Sequence, residues 1–316
     1  MSQARTAART ALVTTGAAVG GAIVWATAIE PRLFTVRHQQ AAVLAPGSAP
    51  IRVLHIADLH VAPWQSAKQE WLRSLASLQP DLIVNTGDNL SHPDGIEALR
   101  RGLEVFAGTP GVYVHGSNDY FASAPKNPFG YLASPSQHPS AAKPLDITRL
   151  ESFFDELGWQ NINNSAAQID LAGSRLEFIG TSDAHRGWDE LDLVTSALDN
   201  LRENSTWRDG EFTSVVTIGV THAPYQRVLN AFVTYGTSLI FAGHTHGGQV
   251  RLPGIGALVT NCDLPRRKAR GLSRWSHAFH SSYLTVSAGA GASIWSPVRF
   301  GCRPEATMMT LTPMGS

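Results

Sequence analysis

Five short clusters along the chain carry side chains that bind metals or move protons. They are Asp58-Leu59-His60, Gly87-Asp88-Asn89, Asn118-Asp119, His222 and Gly243-His244-Thr245-His246. Imidazole suits Zn, Fe and Mn, while carboxylates suit Mn or Mg. An Asp oxygen can bridge two ions. Two divalent ions roughly 3.5–4 Å apart clamp a phosphate, and one of them lowers the pKa of bound water enough to make a nucleophile without a side-chain base. A lone Asp-x-His or Gly-Asp pair arises often by chance. Five such clusters in one chain point to a dinuclear centre that hydrolyses phosphate esters.

These clusters need a scaffold, and the apolar runs in front of them supply one. Runs at 51–57, 82–85, 112–115, 176–179, 215–220 and 239–242 each end in polar or ligand-type residues. Continuous apolar runs of this length predict strands buried on both faces. In open α/β sheets, functional residues collect at the carboxyl ends of strands. Helices are predicted over 66–78 with Ser66 as N-cap, over 93–106 with proline near the first turn, and over 147–157 with Gly158 as its stop. Strands alternating with helices imply an α/β fold. Less helix is evident between the later strands, so a second, more antiparallel sheet is expected. The architecture predicted is a four-layer αββα sandwich of two mixed sheets.

The five clusters, in this order and spacing, resemble the sequence blocks of the calcineurin-like metallophosphoesterases across about residues 51–312. The run Gly243-His244-Thr245-His246-Gly247-Gly248-Gln249 is similar to the bacterial membrane-associated branch, which includes phosphodiesterases and pyrophosphatases acting on lipid-linked nucleotides. Glu30-Pro31-Arg32, Arg299-Phe300-Gly301 and Pro304-Glu305 fit that branch as well. The resemblance implies two divalent ions, with Mn, Zn, Fe and Mg as candidates, and a metal-held hydroxide as nucleophile. It implies that Asp58, His60 and His246 bind one ion, that Asn118, His222 and His244 bind the other, and that Asp88 bridges them. An acidic residue at the place of Asp183 is also frequent in the branch, to touch metal-held water or substrate; a turn N-cap is the other reading.

One block departs from the family. Where it reads Gly-Asn-His-Asp or Gly-Asn-His-Glu, this chain reads Gly116-Ser117-Asn118-Asp119. Aligning on Asp119-Tyr120 puts Ser117 at the ligand position. Counting from Gly111-Val112-Tyr113 puts Asn118 there and Asp119 in the histidine slot. The second is preferred, because an amide oxygen is a better ligand than a serine hydroxyl. In both, the histidine that protonates the leaving group is missing. General-acid help is worth about 10²–10⁴ in rate. Asp119, with Asn118 beside it, is the expected catalytic replacement; His115, His92 and His185 are alternatives.

The chain has 316 residues, 43% apolar and 16% charged, with zero formal net charge. That charge balance gives no footprint of a nucleic-acid binder. Residues 11–29 contain no charge and are long enough to cross a bilayer. They read as a single-pass anchor, as a signal peptide cut near Ala26-Thr27-Ala28, or as a core helix, in that order of preference. The domains expected are an anchor or signal segment over 1–37, a linker over 38–50 and a phosphoesterase domain over 51–316. The protein is expected at a membrane with its catalytic domain outside the cytoplasm. A Pro-rich insertion over 120–146 carries Phe129 and Tyr131 as a candidate lid. The basic run Arg266, Arg267, Lys268, Arg270 and Arg274 reads as a solvated loop, or as a contact for anionic lipid or a second phosphate. Cys262 and Cys302 form no recognisable metal or disulfide pattern. Lipid-linked and soluble phosphate esters both remain candidate substrates, and a metal-retaining binding protein without catalysis is the non-enzymatic alternative.

Overall fold

The computed structural model describes residues 2–123, 142–205, 212 and 214–315. Most of the Pro-rich stretch, including the candidate lid residues Phe129 and Tyr131, lies outside the described residues. The chain opens with α1 (Ser2–Val24), followed by β1 (Thr35–Leu44), β2 (Ile51–Ile56), α2 (Ser66–Ser74), β3 (Leu82–Asn85), α3 (Gly95–Leu103), β4 (Gly111–Tyr113) and the single turn α4 (Ser117–Tyr120). Then come α5 (Ile147–Leu157), β5 (Trp159–Asn161), β6 (Ser165–Leu171), β7 (Ser174–Thr181), α6 (Leu191–Glu203), β8 (Ser214–Thr221), α7 (Gln226–Thr234) and β9 (Leu239–Ala242). The last elements are the hairpin β10 (Arg251–Leu252) and β11 (Gly256–Ala257), then β12 (Gly271–His277), β13 (His280–Val286) and β14 (Glu305–Pro313).

Two six-stranded sheets face each other, in the orders β1-β14-β2-β3-β4-β5 and β12-β13-β9-β8-β7-β6. Strand alternation explains the layering. In β2, Val53 points into the core between the sheets with Leu82, Val84, Phe178, Ile218 and Phe241. Its neighbours Leu54 and Ile56 point the other way, onto Leu72 of α2, Leu99 of α3 and Phe154 of α5. The second sheet repeats this outside, with Ile179 and Ile240 against Leu198 of α6 and Phe232 of α7. The result is the expected αββα sandwich. Every central strand is buried on both faces, which is why the runs read as unbroken apolar stretches.

Four expectations change in detail. The segment expected as a linker over 38–50 begins inside β1, which pairs parallel with β14 at the edge of the first sheet. Its Arg-His-Gln-Gln composition hid it, because an edge strand exposes one flank and tolerates polar side chains. The second sheet is parallel through β7, β8, β9 and β13, with antiparallel pairing only at β6–β7 and β12–β13. The helix that permits this, α6, buries Val194 and Leu198 one turn apart, an i, i+4 signal. The helix expected over 93–106 starts at Gly95 and ends in a 3₁₀ turn at Glu104–Phe106. Ser66 is the first helical residue of α2 and not its cap.

The N-terminal helix stands apart from this core. Val13 is 70% exposed and Ile23 58% exposed, so the segment is not a core helix. The stretch Val13–Arg32 is long and apolar enough to cross a membrane, by length and composition. Its end is nonetheless tied down. The Glu30 carboxylate is buried and accepts from the Gly301 and Cys302 amides and from Trp25 Nε1. The Arg299 amide donates to the Ala26 carbonyl at 2.8 Å.

Phe178 is fully buried between the two sheets. Phe178→Ala is expected to cost about 3–5 kcal/mol of stability through the cavity it leaves, read as a lowered midpoint in denaturant unfolding.

Candidate metal centre

Each candidate ligand leaves the carboxyl end of a strand on a sharply turned backbone. Asp58 and His60 follow β2, Asp88 follows β3, Asn118 follows β4, His222 follows β8, and His244 and His246 follow β9. Asp58, His60, Asp88, His244 and His246 all have positive φ, between +44° and +66°. Non-glycine residues rarely adopt that conformation, and it concentrates where function over-determines the backbone. Glycines let the turns nest. A Cβ on Gly116 would lie 2.2 Å from Asp88 Oδ1 and 2.7 Å from His222 Cε1. One on Gly289 would lie 2.5 Å from Asp58 Cβ. The Gly289-Ala290-Gly291-Ala292 stretch therefore serves close packing behind Asp58.

The side chains converge in two overlapping groups. Ligand atoms of Asp58, His60 and His246 lie within 4.8 Å of one another, and so do those of Asp58, Asp88 and His222. Asp88 Oδ2 is 3.5 Å from His60 Nε2 and 3.5 Å from His222 Nε2. Asp58 Oδ1 is 3.7 Å from His246 Nε2. The outer ring nitrogens fix the tautomers. His222 Nδ1 donates to the Thr86 carbonyl at 2.8 Å and His246 Nδ1 to the Gly291 carbonyl at 3.1 Å. His60 Nδ1 sits 3.1 Å from Ser91 Oγ. His244 reverses the pattern: Nε2 donates to the Asn261 carbonyl at 3.1 Å, leaving Nδ1 3.3 Å from His222 Nε2. An outer hydrogen bond that orients the inner lone pair is the usual support of a metal-binding histidine.

This arrangement fits a pair of cations. His60 Nε2 is buried with no hydrogen-bond partner. His222 Nε2 and His244 Nδ1 face each other at 3.3 Å, so a proton or a metal cation must lie between them. Burial pushes the Asp58 carboxyl up to about 7, and holds His60 down near 4 and His244 and His246 well below the ordinary imidazole range. Burial also opposes charge on His222 and Asp88, but their mutual attraction wins. It raises His222 to about 9 and, with His60 and the Asn118 bonds, lowers Asp88. His60, His244 and His246 are thus in the neutral state that metal binding requires, and a divalent ion would displace the proton that His222 holds.

The Asn118-Asp119 block has a definite geometry. Asn118 donates its backbone amide to Asp88 Oδ1 at 2.9 Å and its Nδ2 to Asp88 Oδ2 at 2.7 Å. Asp119 is fully buried. Its carboxylate accepts from the amides of Asp88, Asn89 and Gly116 at 2.7–3.0 Å. The expected proton donor is thus a strut that ties the Asp88 turn to the Gly116 turn. His115 lies behind it, bonded to Glu151 at 3.1 Å. His92 packs edge-on against Trp64 and accepts from the Asp94 amide. Only His185 among the alternatives touches a candidate ligand: its ring centre is 4.4 Å from that of His244, and its Nδ1 is 3.0 Å from the Tyr225 hydroxyl. Asp183 caps the turn that carries His185, accepting from its amide at 2.8 Å and from the Ser117 amide at 3.0 Å.

Several supporting residues escaped the sequence reading. Lys68 Nζ is buried and donates to the Leu59 and His60 carbonyls at 2.7 and 3.2 Å; burial drives it down to about 7. The guanidinium of Arg299 is buried and gathers the carbonyls of Ala288, Gly289 and Gly291. Arg186, half-buried on the Asp183 turn, has a buried Nε without a partner. A lone Lys or Arg in sequence carries no sign of such a role. The basic run divides in the fold: Arg274 stacks on Tyr283, Lys268 lies over Trp275, and Arg270 turns inward towards Glu305.

Residues 51–248 match the model of the calcineurin-like phosphoesterase family. The uncharacterized metallophosphoesterase YkuE of Bacillus subtilis is 23% identical over 297 residues, covering 92% of this chain and 90% of its own. Phosphodiesterase YaeI of Escherichia coli is 24% identical over 293 residues, covering 89% of this chain and 90% of its own. A Bos taurus transmembrane protein with a metallophosphoesterase domain is 24% identical over 306 residues, covering 95% of this chain and 61% of its own. Family enzymes of this kind use two divalent metals, and the Asp/His clusters described above could hold them. This chain belongs to the calcineurin-like phosphoesterase family and is a metal-dependent phosphoesterase.

Proposed function

We propose that the centre holds two divalent ions and hydrolyses a phosphodiester or pyrophosphate at a membrane surface. The observation that carries this is the single Asp88 oxygen equidistant, at 3.5 Å, from His60 Nε2 and His222 Nε2. An anionic oxygen between two sets of imidazole lone pairs is a bridging position. On this reading Asp58, His60 and His246 hold one ion, Asn118, His222 and His244 the other, and Asp88 both. A half-turn of the Asn118 amide presents Oδ1 where Nδ2 now meets Asp88. Bound there, the ion pair supplies the charge that clamps a phosphate and activates water near neutral pH.

The chain's own residues complete the reaction. Arg186, with its unpartnered Nε and its attraction to Asp183 and Asp88, is assigned to the substrate phosphate. His185, held by Tyr225 and packed on His244, is assigned to the leaving-group oxygen as proton donor. A diester is favoured because the Escherichia coli relative is named a phosphodiesterase. Membrane attachment through residues 13–32 is favoured by the exposed apolar helix and by the named transmembrane relative.

Hydrolysis of bis-p-nitrophenyl phosphate by the full chain should depend on added Mn or Zn. Asp88→Asn should lower kcat/KM at least ~100-fold. Turnover without metal, or an Asp88→Asn enzyme equal to wild type, would sink the proposal. A faster reaction on a vesicle-borne phosphodiester than on its soluble analogue supports the membrane-linked substrate; the reverse order points to a soluble one.

Asp119 and His185 separate in a leaving-group series. Asp119→Ala strands three buried amides, at about 1–3 kcal/mol each. It should lower the melting temperature and reduce turnover equally for good and poor leaving groups. His185→Ala should leave the melting temperature near wild type. Its loss should grow with leaving-group pKa, towards about 10²–10⁴ for alkyl esters. The opposite assignment of the two patterns would return the proton-donor role to Asp119.

A further inference from the structure

A cavity of about 830 Å³ lies where the N-terminal helix meets the catalytic domain, lined by Trp25, Glu30, Arg37, Arg251, Arg270 and Arg303 among others. It lies apart from the candidate metal ligands. Its charge is unbalanced. The Glu30 carboxylate is taken up by the Gly301 and Cys302 amides and Trp25 Nε1. Glu305, beneath the cavity, pairs with Arg37 and lies 3.8 Å from Arg270. The Arg251 guanidinium donates to the Gly247 carbonyl at 2.9 Å, and Arg303 is exposed. Neither forms an ion pair among the described residues. Two uncompensated guanidinium groups beside two that share one carboxylate make a strong anion trap, and a guanidinium fork matches phosphate oxygens.

The position of the cavity defines what reaches it. The helix that ends at its rim exposes Val19, Ile23 and Val24 to the surroundings. Trp25, half-exposed, stands at the end of that apolar stretch, the depth at which indole rings settle in a bilayer. The hairpin β10–β11 forms another wall and holds Ile255 out at its tip, 67% exposed. A basic cavity flanked by two apolar projections sits at headgroup depth once the helix is in lipid.

We infer that this cavity binds a phosphate group, and that the phosphate is the headgroup of an anionic lipid. The lipid source rests on the membrane attachment proposed above; the phosphate site does not. The far wall adjoins the turn that carries His246, since Arg251 holds the Gly247 carbonyl and a Cβ on Gly247 would meet Arg270 Cδ at 3.2 Å. An occupant would therefore brace the backbone beside the metal centre.

The test uses the full chain in neutral detergent, stripped of metal by chelator so that the metal centre does not compete for phosphate. Short-chain phosphatidylglycerol, short-chain phosphatidylcholine and inorganic phosphate are titrated by calorimetry into wild type, Arg303→Glu and Arg37→Gln/Arg303→Glu. Phosphatidylglycerol should bind wild type at least roughly tenfold tighter than phosphatidylcholine, and Arg303→Glu should weaken it by a similar factor. Inorganic phosphate binding as well as the lipid would keep the phosphate site and overturn the lipid source. No preference over phosphatidylcholine together with no phosphate binding, or an Arg303→Glu protein that binds as wild type, would overturn the inference. Arg303 is exposed and unpaired, so its variant should melt as wild type, and a double variant that fails to fold leaves the single one to decide. Vesicle flotation and metal-restored turnover of bis-p-nitrophenyl phosphate, read on the same samples, report separately on membrane attachment and on the phosphoesterase reading.

Discussion

Two carboxylates, Asp58 and Asp88, lie side by side out of contact with water, and the rest of the structure is arranged around that fact. Desolvating one anion costs several kcal/mol, and placing a second beside it adds repulsion. The protein supplies part of the compensation itself. The His244 amide donates to both Asp58 oxygens, at 3.1 and 2.9 Å, and Asn118 donates twice to Asp88. His222 is drawn towards its charged form by both anions. What remains is the set of His60, His244 and His246 imidazoles, held neutral by burial beside the carboxylates. Divalent cations satisfy that demand and make the cost of burying the anions part of the binding function.

The two-sheet architecture is what makes the convergence achievable. Asp58, Asp88 and Asn118 come from strand ends of the first sheet, and His222, His244 and His246 from strand ends of the second. Packing the sheets face to face brings residues far apart in sequence to within a few ångströms. The junction is held by backbone contacts. Asp119 ties two turns of the first sheet together, Arg299 and Lys68 gather carbonyls behind the ligands, and glycines at 116, 243 and 289 leave room for the carboxylates and the His222 ring. The same Arg299 receives the N-terminal helix through its backbone amide. The helix end, the Arg299 segment and the metal-centre backbone thus form one connected unit.

How much of this was legible in the sequence follows from which interactions are local. The strand runs and their terminal ligand clusters were visible, because a doubly buried parallel strand leaves an unbroken apolar signature. The sandwich followed from them. The edge strand β1 was not visible, since its partner β14 lies at the other end of the chain and its polar face mimics a linker. The depth of α6 in the second sheet was missed for a weaker reason, its apolar stripe being only two buried residues. At the site, Asn118 and Asp119 were recognised as the unusual block, but their roles depended on where each side chain pointed. Asp119 faces backbone amides, a direction that residue type alone does not encode. Lys68, Arg186 and Arg299 act through backbone carbonyls or an open space, which leave no pattern in sequence.

The central claim is that the buried Asp/His cluster is a two-ion site bridged by Asp88. Metal stoichiometry of the full chain, measured by mass spectrometry after saturation with Mn or Zn and desalting, tests it most directly. The account predicts close to two ions per wild-type chain and no more than one in Asp88→Asn with the fold intact. A wild-type chain that retains one ion or none, or an Asp88→Asn chain that retains both, would contradict it.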